Sequence, residues 1–202
     1  MSEEFEARAG APQQPPQEGA EEQEKLPQEE LFYWLQTLVT AIVCIVLVFT
    51  FLGRITRVVG HSMDDTLADG ELLAVWSLGY EPEQGDIVVL NKTTADFLEG
   101  EAIVKRVIAV GGQTVEIDYA AGTVAVDGTV LTEDYILEPM VQRSWQSVTT
   151  LTVPEGCVFV MGDNRNISND SRNPALGAVE EAYILGQAVA VLFPFQNFGA
   201  IS

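Results

Sequence analysis

The sequence predicts a mainly β protein, an antiparallel β-sheet domain preceded by one transmembrane helix. Three observations predict this fold class. The run from Leu31 to Gly53 contains no charged residue. Beyond residue 55 the chain breaks into short apolar runs that glycines separate. Those runs are rich in valine, and β-branched residues favour strands. A chain of 202 residues is long enough for one sizeable domain and an anchor.

The N-terminal tail, residues 1–30, is predicted to be disordered. It is rich in glutamine and proline and carries nine glutamates against two basic residues, Arg8 and Lys25. Such a segment buries too little apolar surface to offset the entropy of ordering it. The whole chain has a net charge of −20. Because a surface this acidic repels nucleic acid, we exclude DNA and RNA as partners.

Histidine and cysteine are too scarce to indicate a metal site. The chain has one histidine and two cysteines, Cys44 in the apolar run and Cys157 in the later part. Structural zinc sites usually take four such ligands from one place in the fold. Since the two cysteines belong to different parts of the chain, we predict no disulfide, and we predict no metal and no cofactor.

The apolar run at residues 31–53 is predicted to be one transmembrane helix, because about 20 helical residues span the hydrocarbon core. An aromatic triplet at residues 32–34 is typical of the membrane interface. A cleavable secretory peptide would instead carry basic residues before the run and small residues after it. Here glutamates precede the run and Gly53-Arg54 follows it. The few basic residues near its two ends do not by themselves orient the helix.

The remainder, residues 54–202, reads as a single β-rich domain. Short apolar runs bounded by turn residues are typical of strands. Asp127-Gly128 between two such runs predicts a tight hairpin, because both residues tolerate a positive φ. The predicted strands are Glu71–Leu78, Asp86–Leu90, Ala102–Val110, Thr114–Asp118, Thr123–Val126, Ser147–Val153, Val158–Met161 and Gly186–Phe193.

Lys105 lies inside one of these predicted strands. Alternation places it on one face with Ile103, Val107 and Ala109, while Arg106 points the other way. An ammonium group on an apolar face is costly, and a lowered pKa relieves the cost. A neutral amine could act as general base for a serine nucleophile. The alternative is a structural lysine that discourages pairing at a sheet edge.

Two further segments carry polar groups that could complete such a site. Ser62 follows the anchor in a glycine-containing turn, and His61 is adjacent to it. Neighbouring side chains in extended backbone point to opposite sides, so His61 is poorly placed to deprotonate Ser62. The polar run at residues 162–172 directly follows a predicted strand and is typical of a loop that supplies hydrogen bonds. A solvated turn would have a similar composition.

Together these segments resemble the type I signal peptidases of bacteria. The resemblance covers nearly all of residues 31–202 and rests on the anchor and four motifs in the family's order. The motifs are GHSMDDTL at residues 60–67, GDIVV at 85–89, KRVI at 105–108 and GDNRNISNDSR at 162–172. The resemblance implies a catalytic domain of signal-peptidase type.

The resemblance also implies residue roles. Ser62 matches the nucleophile and Lys105 its general base. Ser168 matches the serine that hydrogen-bonds the lysine amine, and the Asp170–Arg172 pair matches a brace in which Arg106 is a further partner of Asp170. Met63 matches the residue that packs beside the nucleophile. The residues that match the strands flanking the substrate are Val58, Gly60, Ile103 and Val104.

A resemblance to this family implies a serine endopeptidase at the cell membrane. Its substrates would be secretory precursors with signal peptides, cut after small residues in an Ala-x-Ala-like pattern. Tail residues 1–30 would then be cytoplasmic, residues 31–53 would cross the bilayer once, and residues 54–202 would be extracytoplasmic. Ser62 lies nine residues after Gly53, so it can be at most about 30 Å from the membrane edge.

Several positions depart from the family's pattern. Asp65 stands where the family usually has proline, residues 111–113 replace Pro-Gly-Asp, and Ile167 replaces a common asparagine. Gly60 lacks the hydroxyl that helps to bind the oxyanion in some members. The main alternative is therefore a catalytically inactive, membrane-anchored assembly factor of the same fold. A self-cleaving repressor with a Ser-Lys site and a ligand-binding β domain are further alternatives.

Overall fold

The computed structural model of the protein describes residues 27–51, 53–95 and 100–201. The described residues fall into two compact units, one that ends at Ile42 and one that begins at Val43. Most of the predicted disordered tail, residues 1–26, lies outside the described part of the chain.

The apolar run forms helix α1, Pro27–Phe51. The helix begins four residues before the predicted start, and proline suits its first position because no intrahelical N–H bond is needed there. Its window from Glu30 to Leu47 has a mean hydropathy of 1.8, and the side chains described there are exposed. Among the described residues this is one helix long and apolar enough to cross a membrane.

Beyond the helix the chain forms twelve strands among the described residues. They are β1 Gly53–Arg57, β2 Leu72–Trp76, β3 Ile87–Leu90, β4 Ile103–Val110, β5 Thr114–Asp118, β6 Thr123–Val126, β7 Thr129–Val130, β8 Thr150–Thr152, β9 Cys157–Met161, β10 Val179–Glu180, β11 Ile184–Phe193 and β12 Gly199–Ala200. Two 3₁₀ turns, Glu181–Tyr183 and Phe195–Asn197, precede β11 and β12 respectively.

The strands form two antiparallel sheets. The larger sheet has the order β1-β2-β11-β3-β4-β9-β10, with β12 paired to β11, and the smaller has the order β7-β6-β5-β8. The predicted antiparallel, mainly β fold is confirmed, because every strand pair described is antiparallel. Asp127 and Gly128 have positive φ angles of 51° and 76°, as the predicted β6–β7 hairpin requires.

The eight predicted strands all form, with ends that differ by a few residues. Three strands were not predicted: β1, β10 and β12, whereas β7 is the second arm of the predicted hairpin. Strands β10 and β12 have only two residues each, too few for an alternating pattern to be visible. Strand β1, with the sequence GRITR, has two arginines and no long run of β-branched residues, so it carries little strand signal.

Strand β4 lies in the interior of the larger sheet and is buried along most of its length. Its pairing with β9 shifts register between Val107 and Ala109, which is a β-bulge. The bulge breaks the alternation that was predicted for this strand. Val107 packs in one apolar cluster, whereas Ile108 and Ala109 both pack in another, against β5 and β6. The placement of Ala109 on the face of Lys105 was therefore wrong.

Candidate active site

Ser62 and Lys105 are 43 residues apart in sequence and meet in the fold. Lys105 Nζ is 2.7 Å from Ser62 Oγ and donates a second hydrogen bond to the Val104 carbonyl at 2.8 Å. Ser62 is partly exposed, so its hydroxyl can be reached from outside. Lys105 is only 3% exposed. The arrangement places one amine nitrogen within proton-transfer distance of one hydroxyl.

The surroundings of Lys105 disfavour its charged form. Burial lowers the pKa of Lys105 from 10.5 to about 8, while the negative charges of Asp170 and Asp163 oppose that effect and Arg172 reinforces it. A lysine with an ordinary pKa is almost entirely protonated near neutral pH and cannot accept a proton. The lowered pKa gives a useful fraction of neutral amine, which is what a general base requires.

Ser62 belongs to the nucleophile loop, residues 58–70, whose apolar side chains pack into the core. Met63 and Leu67 are each 1% exposed and pack in an apolar cluster with Val58 and Val104. The Met63 carbonyl accepts hydrogen bonds from the N–H groups of residues 66 and 67, which closes a tight turn after the nucleophile. Met63 thus lies in the core directly after Ser62 in the sequence, and its packing role beside the nucleophile stays a prediction.

Gly60 sits at the entrance of this loop in a conformation that favours glycine. Its φ is 87°, and its N–H donates to Asp69 Oδ1 at 2.8 Å. A Cβ on Gly60 would meet no atom within 4 Å. The position is thus open on the side where a side chain would project, and its backbone conformation accounts for glycine there.

The loop after β9 holds the Ser62 backbone from the other side. The N–H of Asn164 donates to the Ser62 carbonyl at 3.1 Å. A Cβ on Gly162 would clash with that same carbonyl and with Ser168 Oγ. Glycine at position 162 is therefore required by the close approach of two loops, since any side chain would push Ser62 away.

Asp170 and Arg172 form the buried pair that the resemblance implied. Arg172 Nε and Nη2 each lie 2.8 Å from one Asp170 carboxylate oxygen, and both residues are almost fully buried. Burial disfavours the Asp170 carboxylate, but the hydrogen bonds and charge of Arg172 outweigh burial and lower the pKa of Asp170 below its ordinary value. The Gly162 N–H also donates to this carboxylate at 3.1 Å, which ties the pair to the loop under Ser62.

Arg106 does not pair with Asp170, so that expectation was wrong. Its Nε and Nη2 donate to Asp163 Oδ1 and Oδ2 at 2.9 and 2.8 Å. The register explains the choice, because Arg106 stands opposite Met161 and Asp163 follows Met161 by two residues. The oxygens of Asp170 are already occupied by Arg172.

Ser168 is buried close to Ser62, but the expected bond to the lysine amine is absent. Among the described residues, Lys105 Nζ bonds Ser62 and Val104 only. Ser168 Oγ packs against Gly162, and its contact with Asp170 is one of the causes that lower the pKa of that carboxyl. The hydroxyl therefore faces the Asp170–Arg172 pair in this structure, where it makes no hydrogen bond of normal geometry within the described part of the chain.

His61 is exposed, as the sequence suggested. Its Nδ1 lies 3.1 Å from Asp64 Oδ2 in the same turn, a carboxylate partner that the sequence did not reveal. In the described residues its ring makes no hydrogen bond to Ser62. The imidazole and Lys105 therefore do not compete for the same hydroxyl.

The four expected substrate-binding residues lie on two backbone segments with unpaired edges. Val58 and Gly60 follow β1, which pairs with β2 alone. Ile103 and Val104 begin β4, which pairs with β3 there but with β9 only from Arg106 onward. Val107 exchanges backbone hydrogen bonds with the β3 side, so alternation turns the N–H of Val104 to the open edge.

Sequence reasoning missed several buried groups around the site. Asp163 accepts a hydrogen bond from the Thr66 hydroxyl at 2.6 Å, which links the two loops. Arg165 is fully buried and makes a two-pronged ion pair with Glu133, and Tyr135 lies against Arg106. Asp163 and Arg165 belong to the polar run at residues 162–172, and the position of that run after a strand was their only signal in the sequence. Nothing local in the sequence marks Glu133 or Tyr135.

Comparison with known proteins gives one matching family and several similar proteins. Residues 31–193 match the family described as signal peptidase, peptidase S26. The chain is 37% identical to the probable signal peptidase I-1 of Synechocystis sp., covering 81% of this chain and 83% of the relative. It is 35% identical to signal peptidase I of Bacillus licheniformis, covering 88% and 96%. It is 32% identical to signal peptidase IB of Staphylococcus aureus, covering 84% and 93%.

A solved structure is also similar. The crystal structure of a signal peptidase I from Enterococcus faecalis V583 is 31% identical, with a TM-score of 0.43. The match covers 54% of this chain and 97% of that one.

Proposed function

Because the chain belongs to the signal peptidase family, peptidase S26, we propose that it is a membrane-bound serine endopeptidase in which Ser62 and Lys105 form the catalytic dyad. Its substrates would be secretory precursors, from which it removes the signal peptide. The observation that carries the proposal is the 2.7 Å contact between a buried lysine amine and a partly exposed serine hydroxyl.

The first step is acylation of Ser62. The neutral Lys105 amine takes the proton of the hydroxyl as Ser62 Oγ attacks the scissile carbonyl, and the protonated amine then gives that proton to the leaving amine. The Ser62 N–H would donate a hydrogen bond to the negatively charged oxygen of the tetrahedral intermediate and so stabilise it. The Val104 carbonyl, at 2.8 Å from Nζ, accepts from the amine and helps to aim its lone pair at the hydroxyl.

The second step releases the acyl group. Lys105 is again neutral once the leaving peptide has departed, and it activates a water molecule that hydrolyses the acyl-serine. The buried Asp170–Arg172 pair fixes the loop that packs under Ser62, so the hydroxyl returns to the same place for the next cycle.

Substrate recognition would use the two unpaired backbone segments. An extended precursor can add between residues 58–60 and residues 101–104 as a further strand, bonded through backbone groups such as the Val104 N–H. Val58 and Val104 pack into the core beneath these segments, and in this proposal they would leave only shallow pockets for the substrate's side chains. Shallow pockets favour small side chains, which agrees with cleavage after an Ala-x-Ala-like sequence.

Helix α1 would anchor the enzyme in the bilayer, with residues 54–202 on the extracytoplasmic side. Its length and hydropathy support one membrane crossing. The substrate's cleavage site emerges at the outer surface, so the orientation places enzyme and substrate on the same side. Holding both at one surface replaces a three-dimensional search with a local one.

Cleavage of a precursor by the purified full chain tests the proposal. The chain in detergent is mixed with a secretory precursor carrying Ala-x-Ala before the cut, and the product termini are identified by mass spectrometry. We expect cleavage after the second alanine by wild type and by His61→Ala, and loss of at least about 1,000-fold in Ser62→Ala and Lys105→Met. A wild type that cuts no faster than Ser62→Ala would contradict the proposal and favour the inactive assembly factor.

A further inference from the structure

The segment between β7 and β8 contains two side chains that reach the loop beneath Ser62. Glu133 and Tyr135 are not part of the sheet that carries Ser62 and Lys105, yet both contact arginines next to the nucleophile. We infer that Glu133 and Tyr135 are positioning residues that hold the Ser62 loop in its reactive geometry. The inference rests on the proposed function for its meaning in catalysis.

The first series of contacts connects Glu133 to Ser62 through Arg165. Glu133 Oε1 and Oε2 accept hydrogen bonds from Arg165 Nη2 and Nη1 at 2.6 and 2.9 Å. Arg165 is fully buried, and its Nε donates to the Gly162 carbonyl at 3.1 Å. Gly162 is the residue that lies against the Ser62 carbonyl. A displacement of Arg165 is therefore transmitted through one glycine to the nucleophile backbone.

The second series of contacts connects Tyr135 to Thr66 through Arg106. The Arg106 guanidinium carbon lies 4.0 Å from the centre of the Tyr135 ring, a distance typical of a cation–π contact. Arg106 holds Asp163 with two hydrogen bonds, and Asp163 accepts from the Thr66 hydroxyl at 2.6 Å. Thr66 lies four residues after Ser62 in the same loop. Both series of contacts thus end on the nucleophile loop, one at the Ser62 carbonyl and the other at Thr66.

Glu133 and Tyr135 work as one unit because they bond each other and together contact one pair of buried arginines. Arg106 and Arg165 both lie near the Tyr135 ring, at 4.0 and 5.9 Å, and their like charges repel. The carboxylates of Asp163 and Glu133 balance them one for one. Tyr135 also donates to Glu133 Oε1 at 3.1 Å, and burial raises the pKa of its phenol to about 12, so the hydroxyl remains a donor.

Loss of this support should affect the chemical step more than substrate binding. The proposed substrate segments, residues 58–60 and 101–104, make no hydrogen bond or ring contact with residues 133–135 in the described part of the chain. A loop that is free to shift, by contrast, changes the Ser62 Oγ to Lys105 Nζ distance. Small misplacements of reacting groups reduce rates strongly. A positioning role therefore predicts a lower rate constant for cleavage, while the half-saturating concentration stays unchanged.

Four variants of the full chain in detergent test the inference. Tyr135→Leu removes the ring, Tyr135→Phe keeps it, and Glu133→Gln removes one charge at constant size. Asp134→Asn is the matched control, because Asp134 is exposed and lies between the two. The readout is the single-turnover cleavage rate constant at saturating enzyme, which does not depend on the fraction of molecules that are folded.

We expect Tyr135→Leu and Glu133→Gln to lower that rate constant about tenfold, with the half-saturating concentration changed less than about twofold. Tyr135→Phe and Asp134→Asn should stay within about twofold of wild type. The inference is overturned if Tyr135→Leu and Glu133→Gln match wild type, if Tyr135→Phe is as slow as Tyr135→Leu, or if the loss is in half-saturation. If Tyr135→Leu does not fold, the rate constant of Glu133→Gln alone decides whether the inference stands.

A second readout separates this inference from the proposed function. The Lys105 amine is titrated by ¹³C NMR in each variant, which needs no substrate. Since burial lowers the pKa of Lys105 to about 8, a loosened loop that admits water should move that pKa towards 10.5 in Tyr135→Leu and Glu133→Gln. If wild type cuts no precursor but these shifts occur, the proposed function fails and the positioning role stands. Unchanged titrations overturn the positioning role.

Discussion

At the scale of single residues, the site depends on how one lysine is buried. Lys105 is 3% exposed and bonds Ser62 and a backbone carbonyl, so its ammonium form loses most of its hydration without a carboxylate in direct contact. The nearest carboxylates, Asp163 and Asp170, are each held by an arginine. Their charge is therefore largely balanced, and burial dominates the pKa of Lys105.

The pH dependence of cleavage follows from that pKa. The base must be neutral, so kcat/KM should rise with pH and level off above a pKa of about 8. Below this value the neutral fraction falls about tenfold per pH unit. The profile is measured between about pH 6 and pH 10 on a precursor whose own groups do not titrate there. A profile that stays flat across this range would contradict Lys105 as the general base.

Gly162 is the residue whose replacement should reveal the close packing under Ser62. In Gly162→Ala the new Cβ overlaps the Ser62 carbonyl and Ser168 Oγ, so the nucleophile must move. We expect kcat/KM to fall about 100-fold and the thermal midpoint to drop by several degrees, of order 5 °C. Gly199→Ala is the control, because a Cβ there meets no atom within 4 Å. Equal activity of both variants would show that the contact is unimportant.

At the scale of elements, the turn after Ser62 has a backbone conformation that suits the residue found at position 65. Asp65 has a φ of 81°, a conformation that proline cannot adopt because its ring fixes φ near −65°. The resemblance to the type I signal peptidases implies proline at this position. The turn in this chain therefore follows a backbone path that the implied proline would not allow.

Restoring the family's proline should destabilise this loop. We expect Asp65→Pro to lower the free energy of unfolding by more than about 1 kcal/mol, since the backbone must leave its present conformation. Asp65→Gly, which tolerates a positive φ, should stay within about 1 kcal/mol of wild type. Chemical denaturation of the full chain in detergent measures both. A proline variant as stable as wild type would contradict the positive φ at position 65.

The elements that the sequence could predict are those with a local signal. The strands around Lys105 and the hairpin at Asp127-Gly128 follow from β-branched runs and a turn dipeptide. The bulge in β4 has no such signal, because it arises from pairing with β9. The partner of Arg106 was missed for the same reason, since strand register brings Asp163 to it. Glu133 and Tyr135 come from a distant segment, which only the folded chain brings to the site.

At the scale of the whole molecule, the anchor and the catalytic domain are proposed to act on one surface. The window from Glu30 to Leu47 has the length and hydropathy for a membrane crossing, and its side chains are exposed. Composition alone made this helix predictable. The acidic tail before it lies mostly outside the described residues, so its predicted disorder and cytoplasmic location remain predictions.

Two charges in the middle of the helix should release the chain from membranes. Ile45→Arg and Val46→Arg together place two guanidinium groups where each costs about 3 kcal/mol in a bilayer. We expect wild type to stay in the membrane pellet after alkaline carbonate extraction and the double variant to move to the supernatant. Cys44→Ser, at the position directly before them in the same turn, is the control. Extraction of wild type by carbonate would contradict a transmembrane anchor.

The central claim, a lysine amine whose pKa is lowered because it is buried beside Ser62, is tested most directly by titrating that amine. The chain contains only three lysines, Lys25, Lys92 and Lys105, so ¹³Cε-lysine labelling gives three NMR signals that Lys105→Met assigns. The account predicts a Lys105 pKa of about 8, the same value as the acidic limb of cleavage. A Lys105 pKa at or above the ordinary 10.5 would contradict it.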